Sequence, residues 1–233
     1  MPITGFTRID TVTVPDKFMS VICVTDGEPA DIDDIREKLE VDKSSLDYLG
    51  VASDSDPLEF KDLYKIIKDV RPKGLKVLLI TDCRDPAVLD DLVGAGYAHA
   101  ANILVGRTVT DEQKMCMEIL RDNGCRYAVT AKASEHDRES LESVAGSCDG
   151  CSMFILKQDK AKPVDRSMMS QLTAAAKTCT WNVKVNRSLH ESFQRCSEGG
   201  LQLTAALVDV SDGNVDLAVE ALDDLRILCE QSR

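Results

Sequence analysis

Two neighbouring segments in the first half of the chain repeat one order of sequence signals. Each starts with a short apolar run, at residues 46–53 and 75–81, that ends in a small polar loop. Each loop closes on an Asp-Pro pair, Asp56-Pro57 or Asp85-Pro86, which opens an amphipathic run. Asp at the N-cap accepts a hydrogen bond from the first helical turn, and Pro at N1 lacks only an N–H that has no helical partner. Both segments therefore predict a strand, a tight turn and a helix.

The spacing of apolar residues supports these helices. In the runs that reach residues 70 and 96, apolar side chains recur every three or four positions, so each helix has one stripe to bury. The stripes are Phe60, Leu63, Ile66, Ile67 and Val70 in the first run and Val88, Leu89, Leu92 and Val93 in the second. The preceding runs are apolar on both faces, which is typical of strands covered on both sides. Because a helix that returns over such a sheet makes a right-handed crossover, we expect parallel pairing.

The same alternation continues along the chain. After an extended lead-in at residues 3–17, strands are predicted at 18–24, 98–105, 125–130, 152–156 and 181–185, and helices at 30–39, 134–145 and 167–176. Thr110 and Gln113 form a capping-box pattern for another helix, which ends at Asn123-Gly124. Strand ends recur about every 25 to 30 residues, a normal length for one βα unit. The predicted fold class is α/β, a complete or incomplete (β/α) TIM-like barrel with parallel strands.

The length of the chain, 233 residues, suits one large core, and α/β barrels of this size are commonly undivided. We expect a single domain over residues 1–233, with a lead-in at 1–17, a core at 18–187 and a C-terminal extension at 188–233. Within the extension, residues 201–208 fit either an eighth strand or a buried helical segment. The apolar spacing from Val215 onward predicts a final helix.

Charge and composition exclude several classes of protein. A formal net charge of −12 argues against nucleic acid as the main partner, because binding to a phosphate backbone needs a basic face. No apolar run approaches the roughly 20 residues of a membrane helix, and the first residues lack a signal-peptide pattern, which predicts an acidic cytoplasmic protein. Nine scattered Cys do not form a disulfide framework, and free buried thiols in an anaerobic source would explain them.

Several motifs occur in an order and spacing shared with one enzyme family. They are Gly5-Phe6, Thr11-Val12 and Pro15-Asp16-Lys17 in the lead-in, then residues 49–58, 73–89 and 151–158. Through them the chain, from Gly5 to about Arg187, resembles the radical S-adenosylmethionine (radical SAM) activating enzymes. This group includes the activases of anaerobic ribonucleotide reductase and pyruvate formate-lyase. The resemblance implies a radical SAM-type barrel in which residues 49–58 stand at the family's SGGEP loop, which holds the amino group of the cofactor.

The chain departs from that family at both cofactor sites. The family's CxxxCxxC loop, whose three thiolates hold a 4Fe-4S cluster, corresponds to residues 24–30, which contain no Cys. Asp54, Ser55 and Asp56 stand at the Gly, Gly and Glu of the SGGEP loop, and Thr130-Ala131 stands where the family commonly has Arg-Thr. We therefore expect no 4Fe-4S cluster, no S-adenosylmethionine and no other cofactor.

The carboxyl ends of parallel strands meet at one rim of a barrel, where such folds keep their sites. The degenerate cofactor rim comprises Asp26, Ser53, Asp54, Ser55, Asp56, Asp82, Cys83 and Arg107. Clustered carboxylates invite a positive partner, which predicts a site for a cation, a polyamine or a basic protein surface. The alternative is that Asp56 and Asp85 are only N-caps and the other carboxylates are solvated. With Cys83 at the rim, Cys83→Ser should cost little stability.

Residues outside the acidic rim form weaker patterns. Beyond four strand ends, a basic side of the rim or solvated ion pairs are predicted at Arg107, Lys132, Lys157 and Arg187. Cys148 and Cys151 form a CxxC without the second pair of a zinc site, so they are weak metal candidates and we expect no metal there. The chain has scattered histidines at His99, His136 and His190, without a catalytic triad, a P-loop or a GxGxxG motif.

The expected function is non-catalytic, because radical SAM chemistry needs the cluster cysteines. A radical SAM-like pseudoenzyme would act as a binding or scaffolding subunit with a protein partner, in the activation or assembly of an enzyme in an anaerobic, archaeal organism. One alternative is an enzyme or small-molecule binder with a repurposed rim that still holds S-adenosylmethionine. Another is a metal carrier that shares Cys ligands between chains. The oligomeric state stays open.

Overall fold

A computed structural model describes residues 6–12, 19–24, 33, 36–37, 48–53, 55–60, 62–71, 73–158 and 162–186. The strands are β1 (Phe6–Val12), β2 (Met19–Val24), β3 (Tyr48–Ser53), β4 (Lys76–Thr81), β5 (Ala100–Val105), β6 (Arg126–Lys132), β7 (Met153–Lys157) and β8 (Val183–Asn186). The helices are α1 (Leu63–Val70), α2 (Pro86–Gly94), α3 (Asp111–Asp122), α4 (Arg138–Gly146) and α5 (Arg166–Cys179). The predicted strands are thus found within a few residues of their expected bounds, and part of the extended lead-in forms the additional strand β1.

The strands form one sheet in sequence order, from β1 to β8. β1 pairs with β2 in the antiparallel direction, and every later neighbour pair is parallel. The register places Leu79 beside Ala101 and Ile103 beside Val129. No pairing within the described residues joins β1 to β8, so in this part of the chain the sheet is open. Within the described residues the fold is α/β, with a mostly parallel sheet and alternating helices that are consistent with a partial barrel.

The five helices α1 to α5 of the described residues pack on one face of the sheet. Their buried residues share one hydrophobic core with alternate residues of the strands, such as Val77 and Leu79 of β4. Leu78 and Ile80 are also buried, and because side chains alternate along a strand they lie on the opposite, inner face. Sequential strand order with right-handed crossovers puts all helices on the same side of a sheet. All β3–β7 carboxyl ends therefore lie at one edge, which we call the mouth.

Two of the predicted helices begin later than their sequences suggested. The run after Asp56 forms a 3₁₀ turn at Pro57–Glu59, and α1 starts only at Leu63, because Phe60 adopts an extended backbone that ends the turn. The run from residue 134 forms a second 3₁₀ turn at Ala133–Glu135 before α4. There, Asp137 and Ser140 make a reciprocal capping box that sets the helix start.

Three predictions fall wholly or partly outside the described residues. The helix expected at 30–39 is represented only by the helical residues 33, 36 and 37. Both the strand or helix at 201–208 and the final helix lie beyond residue 186, so the division into core and extension stays a prediction. None of the helices in the described part is both long and apolar enough to cross a membrane.

Candidate binding site at the mouth of the sheet

Asp56 joins the loops that follow β3 and β4. Its side chain is fully buried, and its Oδ1 accepts hydrogen bonds from the Thr81 hydroxyl at 2.6 Å and from the Leu58 N–H at 3.1 Å. Its Oδ2 accepts a hydrogen bond from the Arg84 N–H at 2.8 Å. Capping the 3₁₀ turn through Leu58 is therefore only part of its role. The carboxylate is committed to protein donors on both loops.

Cys83 follows β4 in an unusual conformation. It has a φ of +61°, which L-residues other than Asn and Asp seldom adopt, and its N–H donates to the Thr81 hydroxyl at 2.8 Å. The bend turns its side chain away from the mouth and into the core, where it is fully buried. Contact with the Cys116 thiol, together with burial, raises the pKa of Cys83 well above its usual range. The prediction of an exposed rim thiol is wrong, since the αL backbone at this position reverses the side-chain direction.

Asp82 remains at the mouth as a half-buried carboxylate. Its Oδ2 accepts from the Arg84 guanidinium at 3.2 Å, and the same guanidinium lies 3.4 Å from Glu59. Burial raises the pKa of Asp82 above its ordinary value, and the nearby charge of Asp56 raises it further, whereas Arg84 and Lys132 oppose the rise. Asp82 and Glu59 thus share the Arg84 guanidinium, while Asp56 accepts from the Arg84 backbone N–H. The two loops hold three carboxylates and one guanidinium, which leaves a local excess of negative charge.

Gln113 holds the loops after β4 and β5 in place from the helix face. Its side-chain amide donates to the carbonyl oxygens of Asp82 at 3.1 Å and Leu104 at 2.9 Å, while its Oε1 accepts from the Thr110 N–H at 3.1 Å. One turn further along α3, the Cys116 thiol lies 3.9 Å from the Cys83 carbonyl oxygen. The capping box predicted from the sequence is confirmed, and its glutamine has the additional task of supporting the mouth.

The inner face below the mouth carries a buried polar pair. The Thr130 hydroxyl donates to the Asn102 Oδ1 at 2.9 Å, and both side chains are buried. Lys132 and Lys157 lie side by side in register at the ends of β6 and β7. Lys157 is buried, whereas Lys132 is exposed and lies 3.7 Å from Glu135. These polar positions alternate with the helix-facing apolar ones, and the charge of Lys132 is near enough to Asp82 to lower the pKa of that carboxyl.

The remaining residues of the predicted rim differ in their positions and hydrogen-bond partners. Ser53 and Ser55 lie together in the loop after β3, where the Ser55 N–H donates to the Ser53 hydroxyl at 3.2 Å. Arg107, beyond β5, is exposed and pairs with Asp137 at 3.0 Å. Asp85 caps α2 by accepting from the Ala87 and Val88 N–H groups. The positions that lie outside the described residues are Asp26, Asp54 and Arg187. Of the predicted rim residues, Asp56 and Asp82 lie near each other, because Asp56 joins the loops after β3 and β4.

The CxxC pair lies far from this site along the sheet, at the amino-terminal edge before β7. Cys148 is buried and Cys151 is half-buried. Within the described residues, no group of three or more metal-ligating side chains could hold a metal ion. A metal shared with another chain remains a prediction.

Sequence reasoning missed Glu59, Arg84, Asn102 and the tertiary role of Gln113. Arg84 and Glu59 carry no motif, and only the pairing of β3 with β4 brings them together. A signal for Asn102 did exist, since it interrupts an otherwise apolar strand at residues 98–105. A polar residue in a fully buried strand needs a partner, which here is Thr130 on the next strand.

Two histidines favour their neutral forms in the folded protein. The His99 Nδ1 accepts a hydrogen bond from the Val77 N–H at 3.1 Å, and burial, then the charges of Arg71 and Lys76, lower its pKa. His136 is buried, and its Nε2 has no hydrogen-bond partner among the described residues. Burial lowers the pKa of His136 as well.

These shifts predict that stability falls on mild acidification. Because its folded-state pKa is lowered, each histidine binds fewer protons in the folded state than in the unfolded state. Its contribution to stability is therefore fully present above the unfolded-state pKa of about 6.5 and is lost as the pH falls through the folded-state pKa. The urea midpoint is expected to be lower at about pH 5.5 than at about pH 7.5, with a smaller difference in a His99→Gln, His136→Asn double variant. An equal pH dependence in the double variant would contradict the assignment.

The comparisons with known proteins concern the fold. No family model and no curated protein matches the sequence. Streptococcus suis SuiB bound to precursor peptide SuiA is similar with a TM-score of 0.55 at 12% identity, over 70% of this chain and 44% of that chain. SuiB bound to S-adenosylmethionine has a TM-score of 0.54 at 11% identity, over 69% and 44%. TsrM from Kitasatospora setae, a radical S-adenosylmethionine methyltransferase, has a TM-score of 0.44 at 10% identity, over 55% and 31%.

This chain therefore spans less than half of the SuiB chains that it matches. At such low identity, the likeness to SuiB shows the fold alone. The part of this chain that matches SuiB therefore has an α/β fold similar to that of SuiB.

Proposed function

We propose that this chain is a non-catalytic radical SAM-like protein that acts as a binding subunit and holds a basic segment of a partner protein at the mouth. The observation that carries the proposal is the state of Asp56. It stands where the resembling family has the glutamate of its cofactor loop, yet it is fully buried and accepts hydrogen bonds from Leu58, Thr81 and Arg84. The carboxylate thus closes the loops on each other instead of presenting itself to a ligand.

The proposed absence of radical chemistry rests on the amino-acid sequence as well as on this geometry. Residues 24–30 contain no Cys, and Cys23 alone cannot supply the three thiolates that hold a 4Fe-4S cubane. Without a cluster at that position, the mouth has no group to cleave S-adenosylmethionine reductively. What remains is a set of positioned polar loops on a rigid sheet, which is suited to binding.

The basic character of the proposed partner follows from charge. Glu59 and Asp82 share the Arg84 guanidinium, Asp56 adds a third carboxylate beside Asp82, and the whole chain has a formal net charge of −12. A field of this sign speeds the association of a positive partner and weakens as salt rises. SuiB, which has a similar fold, is known in a complex with its precursor peptide, and this supports a peptide segment as the occupant.

A second candidate function is the binding of a small polar molecule on the inner face. The specific observation in its favour is the buried Asn102–Thr130 pair below the mouth, because a barrel interior with no ligand to bind is usually filled by apolar side chains. SuiB with bound S-adenosylmethionine makes that molecule the first one to test.

Fluorescence anisotropy with two labelled peptides tests the proposal: one peptide is rich in Lys and Arg, and the other has Glu and Asp at the same positions. We expect the basic peptide to bind more tightly, and Asp82→Lys to weaken its binding at least about tenfold, or about 1.4 kcal/mol. Asp82→Asn should weaken it less. The matched control is Asp122→Lys, since Asp122 is exposed at the far end of α3.

The same protein is titrated with S-adenosylmethionine by calorimetry. Equal binding of both peptides, or binding unchanged by Asp82→Lys in a variant with wild-type urea unfolding, would overturn the basic-partner proposal. Tight binding of S-adenosylmethionine without peptide binding would favour the small-molecule candidate instead.

A further inference from the structure

The CxxC segment forms a tight turn between α4 and β7. Cys148 and Cys151 occupy its first and fourth positions, and the Cys151 N–H donates to the Cys148 carbonyl oxygen at 3.3 Å. A turn closed in this way keeps its end Cα atoms within about 7 Å. A disulfide needs Cα atoms about 4.4 to 6.8 Å apart. The backbone therefore already holds the two cysteines at a separation that a disulfide can bridge.

Neighbouring contacts hold this turn in place. The Tyr127 hydroxyl donates to the Asp149 carbonyl oxygen, and the Ser152 N–H donates to the Tyr127 carbonyl oxygen at 2.8 Å. Gly150 has a φ of +79°, and a Cβ there would lie 3.5 Å from the Arg121 side chain and 3.7 Å from the Tyr127 hydroxyl. The third position of the turn thus requires glycine for its backbone, and the geometry of the turn does not depend on either thiol.

The two thiols differ in access. Cys151 is half-buried, so a small reagent can reach it, whereas Cys148 is fully buried and its thiol donates to the Val144 carbonyl oxygen at 3.0 Å. An accessible thiol beside a buried one is the arrangement in which the first reacts with an external disulfide and the second displaces the product. Two further cysteines of the described residues lie at this edge of the sheet. Cys125, directly before β6, is half-buried, and Cys179 on α5 is exposed with its Sγ 3.6 Å from the Glu142 carbonyl oxygen.

We propose that Cys148 and Cys151 form a reversible thiol–disulfide exchange site, with Cys151 as the entry thiol and low-molecular-weight disulfides as its reagents. The Cys151 thiolate attacks one sulfur of an external disulfide RSSR, forms a mixed disulfide and releases RS⁻, which takes up the proton that Cys151 lost. The Cys148 thiolate then attacks the Cys151 sulfur and releases the second RSH. In balance, two protein thiols and one RSSR give one protein disulfide and two RSH, so the protein is oxidised by two electrons and RSSR is reduced.

The protonation of the thiols sets the rate of this exchange. Burial, and then the nearby charge of Asp149, raises the pKa of Cys151 to about 11 against the opposing effect of a backbone hydrogen bond, and burial raises that of Cys148 to about 12. Both thiols are therefore protonated near neutral pH. Because only the thiolate is nucleophilic, the rate of oxidation should rise about tenfold per pH unit in the range below these values.

The test uses the full reduced chain in anaerobic glutathione buffers of graded ratio, followed by acid quenching, alkylation and peptide mass spectrometry. We expect a disulfide that links Cys148 to Cys151 in the wild-type chain and its loss in Cys151→Ser. In Cys148→Ala, which keeps the accessible thiol, we expect Cys151 to retain glutathione as a stable mixed disulfide. Cys179→Ser is the control and should oxidise like the wild-type chain.

Several outcomes would overturn the proposal. One is a wild-type chain in which Cys151 keeps glutathione as readily as it does in Cys148→Ala, because Cys148 would then not resolve the mixed disulfide. Another is oxidation that involves only Cys179 or another cysteine. A rate that does not change between about pH 7 and pH 9 would exclude Cys151 as the entry thiol.

Discussion

Replacement of Asp56 by alanine is expected to lower the free energy of unfolding by about 3 to 5 kcal/mol. Each hydrogen bond to a buried charged acceptor contributes about 1.5 to 3 kcal/mol, and such contributions are not fully additive. The change removes one acceptor from three donors, the Thr81 hydroxyl and the N–H groups of Leu58 and Arg84, of which the first two belong to buried residues. Urea unfolding monitored by circular dichroism measures the effect.

Asp85→Ala is the matched control for this result. Asp85 also follows a strand, precedes a proline and caps a helix, but it accepts only from Ala87 and Val88 in its own first turn. Loss of such a cap costs about 1 kcal/mol. A double-mutant cycle with Asp56→Asn and Thr81→Val should show coupling of about 0.5 to 3 kcal/mol. Equal costs for Asp56→Ala and Asp85→Ala, or additivity in the cycle, would reduce Asp56 to an ordinary N-cap.

Replacement of Phe154 by alanine is expected to cost about 3 to 5 kcal/mol. Phe154 lies on β7, is fully buried, and belongs to the core that the helices and the helix face of the sheet share. The change leaves a large cavity between the sheet and the helices, where neighbouring side chains cannot all move to fill the space. The urea midpoint should fall, with an unfolding slope close to that of the wild-type chain.

Trp181→Ala is the control of the same chemical kind. Trp181 is 98% exposed just before β8, so its loss should change stability by less than about 0.5 kcal/mol. A large cost for Trp181→Ala would show that this side chain is covered in solution, and a small cost for Phe154→Ala would contradict the burial of Phe154 in the core.

The elements of the fold could be predicted because their signals are local. Thr110 and Gln113 are three residues apart and form their capping box as expected, and Asp85 with Pro86 opens α2. The nearly all apolar run at residues 75–81 likewise indicated a strand covered on both faces, and β4 is buried on both after its first residue. Such patterns depend on backbone geometry within one turn or one strand, which nearby residues alone determine.

The starts of α1 and α4 could not be read in the same way. Both runs contain helix-like spacing from their first residues, but 3₁₀ turns at Pro57–Glu59 and Ala133–Glu135 intervene. The capping box of Asp137 and Ser140 sets the start of α4, whereas the extended backbone of Phe60 separates the turn from α1, and propensity is a weak guide to either choice.

The resemblance of residues 49–58 to a cofactor loop indicated the position of the mouth but not the state of its residues. By itself the sequence determined that acidic side chains follow parallel strands, because local hydrophobic periodicity predicts where each strand, loop and helix lies along the chain. Only the tertiary structure decided that Asp56 turns inward to Thr81 and Arg84, and that Cys83 faces the core. The physical reason is that a buried carboxylate must find donors, and here two of those donors lie at the end of β4 and in the loop after it, 25 and 28 residues away in sequence.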